Sequence, residues 1–100
     1  PTAVETAAYY IALEALTNVE KHAGAKSCHI HLALVDSDPP VLEMDIADDG
    51  RGLSPQTAGG LGLLSMQARA AEVGGLCRIE STSQGGARVS VRLPCPAQLE

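Results

Sequence analysis

The hydrophobic residues of this chain switch between two periods, and the order of the switches leaves few folds open. Over residues 3–22, Val4, Ala8, Ile11, Ala15 and Val19 recur every three or four positions, which predicts a helix stopped by Gly24. Tyr9, Leu13 and Leu16 lie off that stripe and predict cover on more than one side of the helix. Residues 27–35 then alternate with period two. Ile30, Leu32 and Leu34 share one face, and His29, His31, Ala33 and Val35 the wetter one. The turn Asp36-Ser37-Asp38-Pro39-Pro40 leads to a returning strand over 41–48, with Leu42, Met44 and Ile46 inward and Glu43 and Asp45 outward. Glycine-rich loop chemistry fills 49–60, and a second helical pattern over 61–73 places Leu63, Met66, Ala70 and Val73 on one side. Gly74-Gly75 ends it. Strands over 76–82 and 87–93 follow, joined by Ser83-Gln84-Gly85-Gly86. Helix, two strands, helix, two strands predicts an α+β two-layer sandwich, a mixed sheet with both helices on one face. The reading is one domain over 1–94 and a tail over 95–100.

Composition narrows the function. The 100 residues include neither Trp nor Phe, so the core must be aliphatic, from Leu, Ile, Val, Met and Ala. A net charge of −5 argues against direct nucleic-acid binding. No apolar run reaches the ~20 residues of a membrane span, and no signal peptide opens the chain. Cys28, Cys77 and Cys95 are odd in number and lack C-x-x-C spacing, which predicts free thiols in a reducing cytosol. His22, His29 and His31 form no metal-binding pattern.

Three motifs carry chemistry: Glu14-Ala-Leu-Thr-Asn18-Val-Glu-Lys21-His22-Ala, Asp48-Asp-Gly50-Arg-Gly52, and Gly60-Leu61-Gly62-Leu63 at the opening of a helix. Singly, each has an ordinary explanation as a solvated helix face, a turn or a cap. Together they suit a nucleotide. Asp48 continues the inward alternation past Ile46, where a carboxylate is costly unless something hydrogen-bonds it. An ionised carboxylate only accepts, so it selects a ring that presents N–H, such as adenine. Gly50 and Gly52 let the backbone approach a flat ring, and Gly60 and Gly62 let it approach phosphates at a helix N-terminus. The Asn18 amide oxygen suits magnesium that already carries phosphate. Glu14, one turn earlier, is placed to orient a water or act as a base, and Lys21 and His22 to neutralise phosphate.

In this order and spacing the motifs resemble the catalytic ATP-binding domain of bacterial sensor histidine kinases, within the gyrase, Hsp90, histidine kinase and MutL ATPase superfamily. The nitrate-sensor-like and DesK-like kinases match best, over residues 9–94. Glu14 to Ala23 resembles their asparagine box, Asp48 to Gly52 the first glycine box, and Gly60 to Leu63 with Met66, Arg69 and Gly74-Gly75 the second. Gly85 to Val89 and Leu93-Pro94 resemble the closing strand. The resemblance implies a Bergerat-type ATP-binding fold with ATP and magnesium as ligands. Asn18 would bind magnesium and phosphate, Asp48 the adenine amino group, and Glu14 would be catalytic. Lys21, His22, Gly50, Gly52, Gly60, Leu61, Gly62 and Leu63 would complete the nucleotide site, and residues 53–60 a short lid without a phenylalanine box.

Two departures stand out. The family often has Thr where this chain has Ala87, its hydroxyl supporting the adenine-binding aspartate, and a further strand before the first helix. The implied activity is transfer of the γ-phosphoryl group to a histidine on a separate dimerisation domain. From there it passes to a response regulator with a helix-turn-helix output. None of the three histidines lies in the acidic helical sequence expected of an acceptor, so the domain alone is expected to bind ATP, to be monomeric and not to phosphorylate itself. The full-length protein is expected to be a homodimer, with this domain in the cytoplasm even if the kinase is membrane-anchored. The alternatives are a serine kinase of the anti-sigma-factor type and a degenerate nucleotide-sensing interaction module.

Overall fold

A computed structural model describes residues 2–20, 27–50, 62–82 and 86–96. An alanine-rich stretch without internal proline forms helix α1, Thr2–Asn18, with Glu5 in its first turn opposing the helix dipole. Helical turns continue through Val19 and Glu20. Strands β1 (Cys28–Val35) and β2 (Val41–Asp48) follow, then helix α2 (Leu63–Glu72) and strands β3 (Leu76–Ser81) and β4 (Ala87–Pro94). Gly74, at φ +78°, ends α2 in the left-handed region that only glycine enters cheaply. Its N–H donates to Ala71 O at 2.9 Å and that of Gly75 to Ala70 O at 2.8 Å, satisfying carbonyls that the helix leaves open.

The α+β sandwich is present, but its sheet is antiparallel rather than mixed. The order is β1-β2-β4-β3, and every pairing among the described strands is antiparallel. The α2 crossover carries the chain from β2 past one strand position, and β4 returns to fill the gap. β2 and β3 therefore point the same way without touching.

The core lies between the helices and the centre of this sheet. Val4, Ala7, Ile11 and Ala15 of α1 and Met66 and Ala70 of α2 meet Met44, Ile46, Cys77, Val89, Val91 and Leu93. Burial pushes the Cys77 thiol up to about 11, so it behaves as a small hydrophobe. Cys95 also packs against this core, its N–H donating to Pro40 O at 2.7 Å.

Two expectations of cover fail. Ile30, Leu32 and Leu34 pair with Ile46, Met44 and Leu42 and so share the inner face, yet they are 50 %, 58 % and 67 % exposed. The helices sit over β2, β4 and β3 and leave the β1 edge bare. Tyr9, Leu13 and Leu16 are likewise exposed, because among the described residues nothing packs on the far side of α1. The outer face of the sheet is polar: Arg88 pairs with Asp45 at 3.1 Å and Arg92 with Glu43 at 3.2 Å, beside exposed His29 and His31.

Candidate functional site

β2 delivers Asp48, its last residue, to the inner face one step beyond buried Ile46. The carboxylate is half-buried there and, among the described residues, is held by backbone rather than by a cation. Its Oδ1 accepts from Gly50 N–H at 2.8 Å and from Ala87 N–H at 3.4 Å. Among the described residues Oδ2 takes no such bond, which leaves an acceptor for an incoming donor. The predicted cost of an inward carboxylate is thus met by main-chain amides. The Ala87 bond also bears on the missing threonine hydroxyl, because the main chain at position 87 donates to Asp48 regardless of side chain.

Close packing fixes this turn. A Cβ on Gly86 would run into the Asp48 carbonyl oxygen and lie 3.2 Å from the Asp49 Cα. The Gly86 N–H donates to Thr82 Oγ1 at 3.0 Å and its carbonyl accepts from Thr82 N–H at 2.8 Å, which tethers it to the end of β3. Cys28 is the cross-strand partner of Asp48. Burial and the Asp48 charge together raise its thiol pKa.

A second cluster forms where α1 meets the start of α2. Gly62, at φ +71°, opens α2 with no side-chain cap and no acidic residue in the first turn. A Cβ at Gly62 would collide with the Glu14 carboxylate, so the structure brings the asparagine-box glutamate against the second glycine box. Beside them an open cleft of about 210 Å³ is lined by Tyr10, Leu13, Glu14, Thr17, Ser65, Met66 and Arg69. The Arg69 guanidinium stacks over the Tyr10 ring at 4.2 Å. Tyr10, Thr17 and Ser65 were not singled out in the sequence. The signal available was helical spacing, because Tyr10, Glu14 and Thr17 fall four and three residues apart on one face of α1.

Asn18 is half-buried at the end of α1, one turn beyond Glu14. Gly50, Gly62 and half-buried Leu63 are placed as described. Lys21, His22, Gly52, Gly60 and Leu61, and the lid over 53–60, lie outside the described residues. The groups described fit a nucleotide: a carboxylate oxygen open among the described residues, an uncapped helix start and close-packed glycines. Toward magnesium they offer the Asn18 amide, which suits an ion held mainly through phosphate oxygens. Among the described residues no cluster of three or more His, Cys, Asp or Glu side chains could hold a metal by itself.

Comparisons with known proteins give the family. Residues 3–97 match the family described as histidine kinase-, DNA gyrase B-, and HSP90-like ATPase. The sensor histidine kinase LnrJ of Bacillus subtilis is 46 % identical over 77 residues, covering 77 % of this chain and 18 % of LnrJ. The sensor histidine kinase MctS of Rhizobium johnstonii is 38 % identical over 94 residues, covering 89 % of this chain and 20 % of MctS. The chain thus spans about a fifth of the length of these relatives. The crystal structure of the ATP binding domain of PrrB from Mycobacterium tuberculosis superposes with a TM-score of 0.69 at 31 % identity, covering 92 % of this chain and 69 % of that one. The chain therefore belongs to the family of histidine kinase-, DNA gyrase B- and HSP90-like ATPases, with sensor histidine kinases as its relatives.

Proposed function

We propose that this domain binds Mg-ATP between the Asp48 turn and the start of α2. Within the longer protein it donates the γ-phosphoryl group to a histidine on a separate dimerisation domain, for onward transfer to a response regulator. The observation that carries this reading is the Asp48 carboxylate, held through one oxygen by backbone amides and, among the described residues, open at the other. That oxygen accepts from the adenine amino group. Gly50 and Gly52 are the proposed lining of the ring, and Gly60, Leu61, Gly62 and Leu63 the proposed phosphate contacts, the last two at the uncapped start of α2. Lys21 and His22 are the proposed partners for neutralising phosphate charge. The Asn18 amide orients the phosphates, and magnesium, when bound, supplies charge neutralisation.

Transfer of this kind is mostly positioning and electrostatics. The bond from the γ-phosphorus to its bridging oxygen breaks as one forms to the acceptor nitrogen. Glu14, whose carboxylate packs against Gly62, is the proposed group to take the acceptor's proton or orient it. Among the described residues no helix is long and apolar enough to cross a membrane. The proposed use of ATP and the free thiols of Cys28, Cys77 and Cys95 support a cytoplasmic location for the domain.

The test is to incubate the full-length protein with ATP and magnesium and follow the label. Acid-labile, base-stable phosphate on the protein, lost in Glu14→Gln with ADP affinity kept, is the expected result. Acid-stable phosphoserine on a partner would overturn it in favour of the serine-kinase reading.

A further inference from the structure

The turn that carries Asp48 is also gripped from its outer flank. The Asp49 carboxylate reaches Ser27 through both oxygens: Oδ1 accepts from Ser27 N–H at 3.0 Å and Oδ2 from Ser27 Oγ at 3.0 Å. The Asp49 N–H donates back to Ser27 O at 3.3 Å. Ser27 immediately precedes β1, whose pairing with β2 ends at Cys28 and Asp48. The three bonds therefore add one rung beyond the ladder, where two strands would otherwise fray. On the opposite flank Gly86 packs against the Asp48 carbonyl and the Asp49 Cα. The adenine-binding turn of the proposed site is thus clamped between the start of β1 and the start of β4.

From this geometry we infer that Asp49 is a positioning residue for nucleobase recognition: its clasp on Ser27 fixes the backbone of the turn, and so the place of the Asp48 carboxylate. The inference rests on the reading of Asp48 given above. Asp49 and Ser27 are both exposed and lie apart from the aliphatic core, so the clasp contributes little to overall stability. Its effect is local. A hydrogen-bonding group displaced by a fraction of an ångström loses much of its discrimination.

The test compares ADP, GDP and tripolyphosphate binding to the intact protein by calorimetry. Asp49→Ala is expected to weaken ADP about five- to tenfold, leave tripolyphosphate unchanged and erode the preference for ADP over GDP by the same factor. Asp49→Asn retains an acceptor for the Ser27 N–H and restores part of the loss. Ser27→Ala costs about twofold, and adding it to Asp49→Ala costs nothing further, because both remove the same clasp. A lower melting temperature with the ADP/GDP ratio unchanged would reduce Asp49 to a structural tie and overturn the inference. Equal loss for ADP and tripolyphosphate would do the same. Failure of the unmutated protein to bind ADP would instead remove the proposed site itself, and the role of Asp49 with it.

Discussion

Asp45 and Asp48 lie three residues apart on β2 and face opposite sides of the sheet. Asp45, on the outer face, accepts from Arg88 Nε at 3.1 Å and from Ser90 Oγ at 2.9 Å. Burial works to raise its pKa, but the hydrogen bonds from Ser90 and Arg88, with the Arg88 and His31 charges, hold it below the ordinary carboxylate value. Asp48, on the inner face, has backbone amides in place of a cation among the described residues. On the proposed reading the difference separates a structural carboxylate from a recognition group. A cation partner uses up both the charge and the directionality, whereas main-chain N–H groups fix the orientation and leave one oxygen to give.

The widest break in this contrast comes from Gly86→Ala. The added methyl meets the Asp48 carbonyl, so the turn must shift. We expect a loss of about 1–3 kcal/mol in stability together with loss of measurable ADP binding, checked by melting and calorimetry. Asp48→Asn is gentler on the fold. Its amide oxygen can still accept from Gly50 and Ala87, while its NH₂ would confront the adenine amine in the proposed site. ADP affinity is expected to fall about 10- to 100-fold with little change in melting temperature. Asp45→Asn is the smallest change: less than about 1 kcal/mol at neutral pH and unaltered ADP affinity, because the pair is partly exposed. Its pH signature sharpens the comparison. A carboxyl whose folded pKa is lowered stabilises above its unfolded value, about 3.9, and that contribution is lost as pH falls through the folded pKa. Denaturant melts below about pH 4 should therefore be flatter in Asp45→Asn than in the unmutated chain.

Much of this was legible in the sequence, for local reasons. Period two places Met44, Ile46 and Asp48 on one face of β2, and period 3.6 picks out Ile11, Ala15, Met66 and Ala70. Other features depend on contacts between distant segments. That β4 inserts between β2 and β3 follows from how the crossover closes, not from any strand's own pattern. Leu32 and Leu34 alternate as regularly as Val89 and Val91, and only the placement of the helices exposes one pair and buries the other. The donor that supports Asp48 at position 87 is a backbone N–H, which no residue name discloses. The Ser27–Asp49 clasp spans 22 positions, and neither residue stands out from its motif.

The most direct test is a calorimetric titration of the protein with ADP, with and without magnesium, repeated for Asp48→Asn and Asp45→Asn. Saturable binding by the unmutated protein and by Asp45→Asn, with at least a tenfold loss in Asp48→Asn, is the predicted result. Binding by Asp48→Asn equal to that of the unmutated protein would contradict the assignment of the open carboxylate oxygen to the nucleobase.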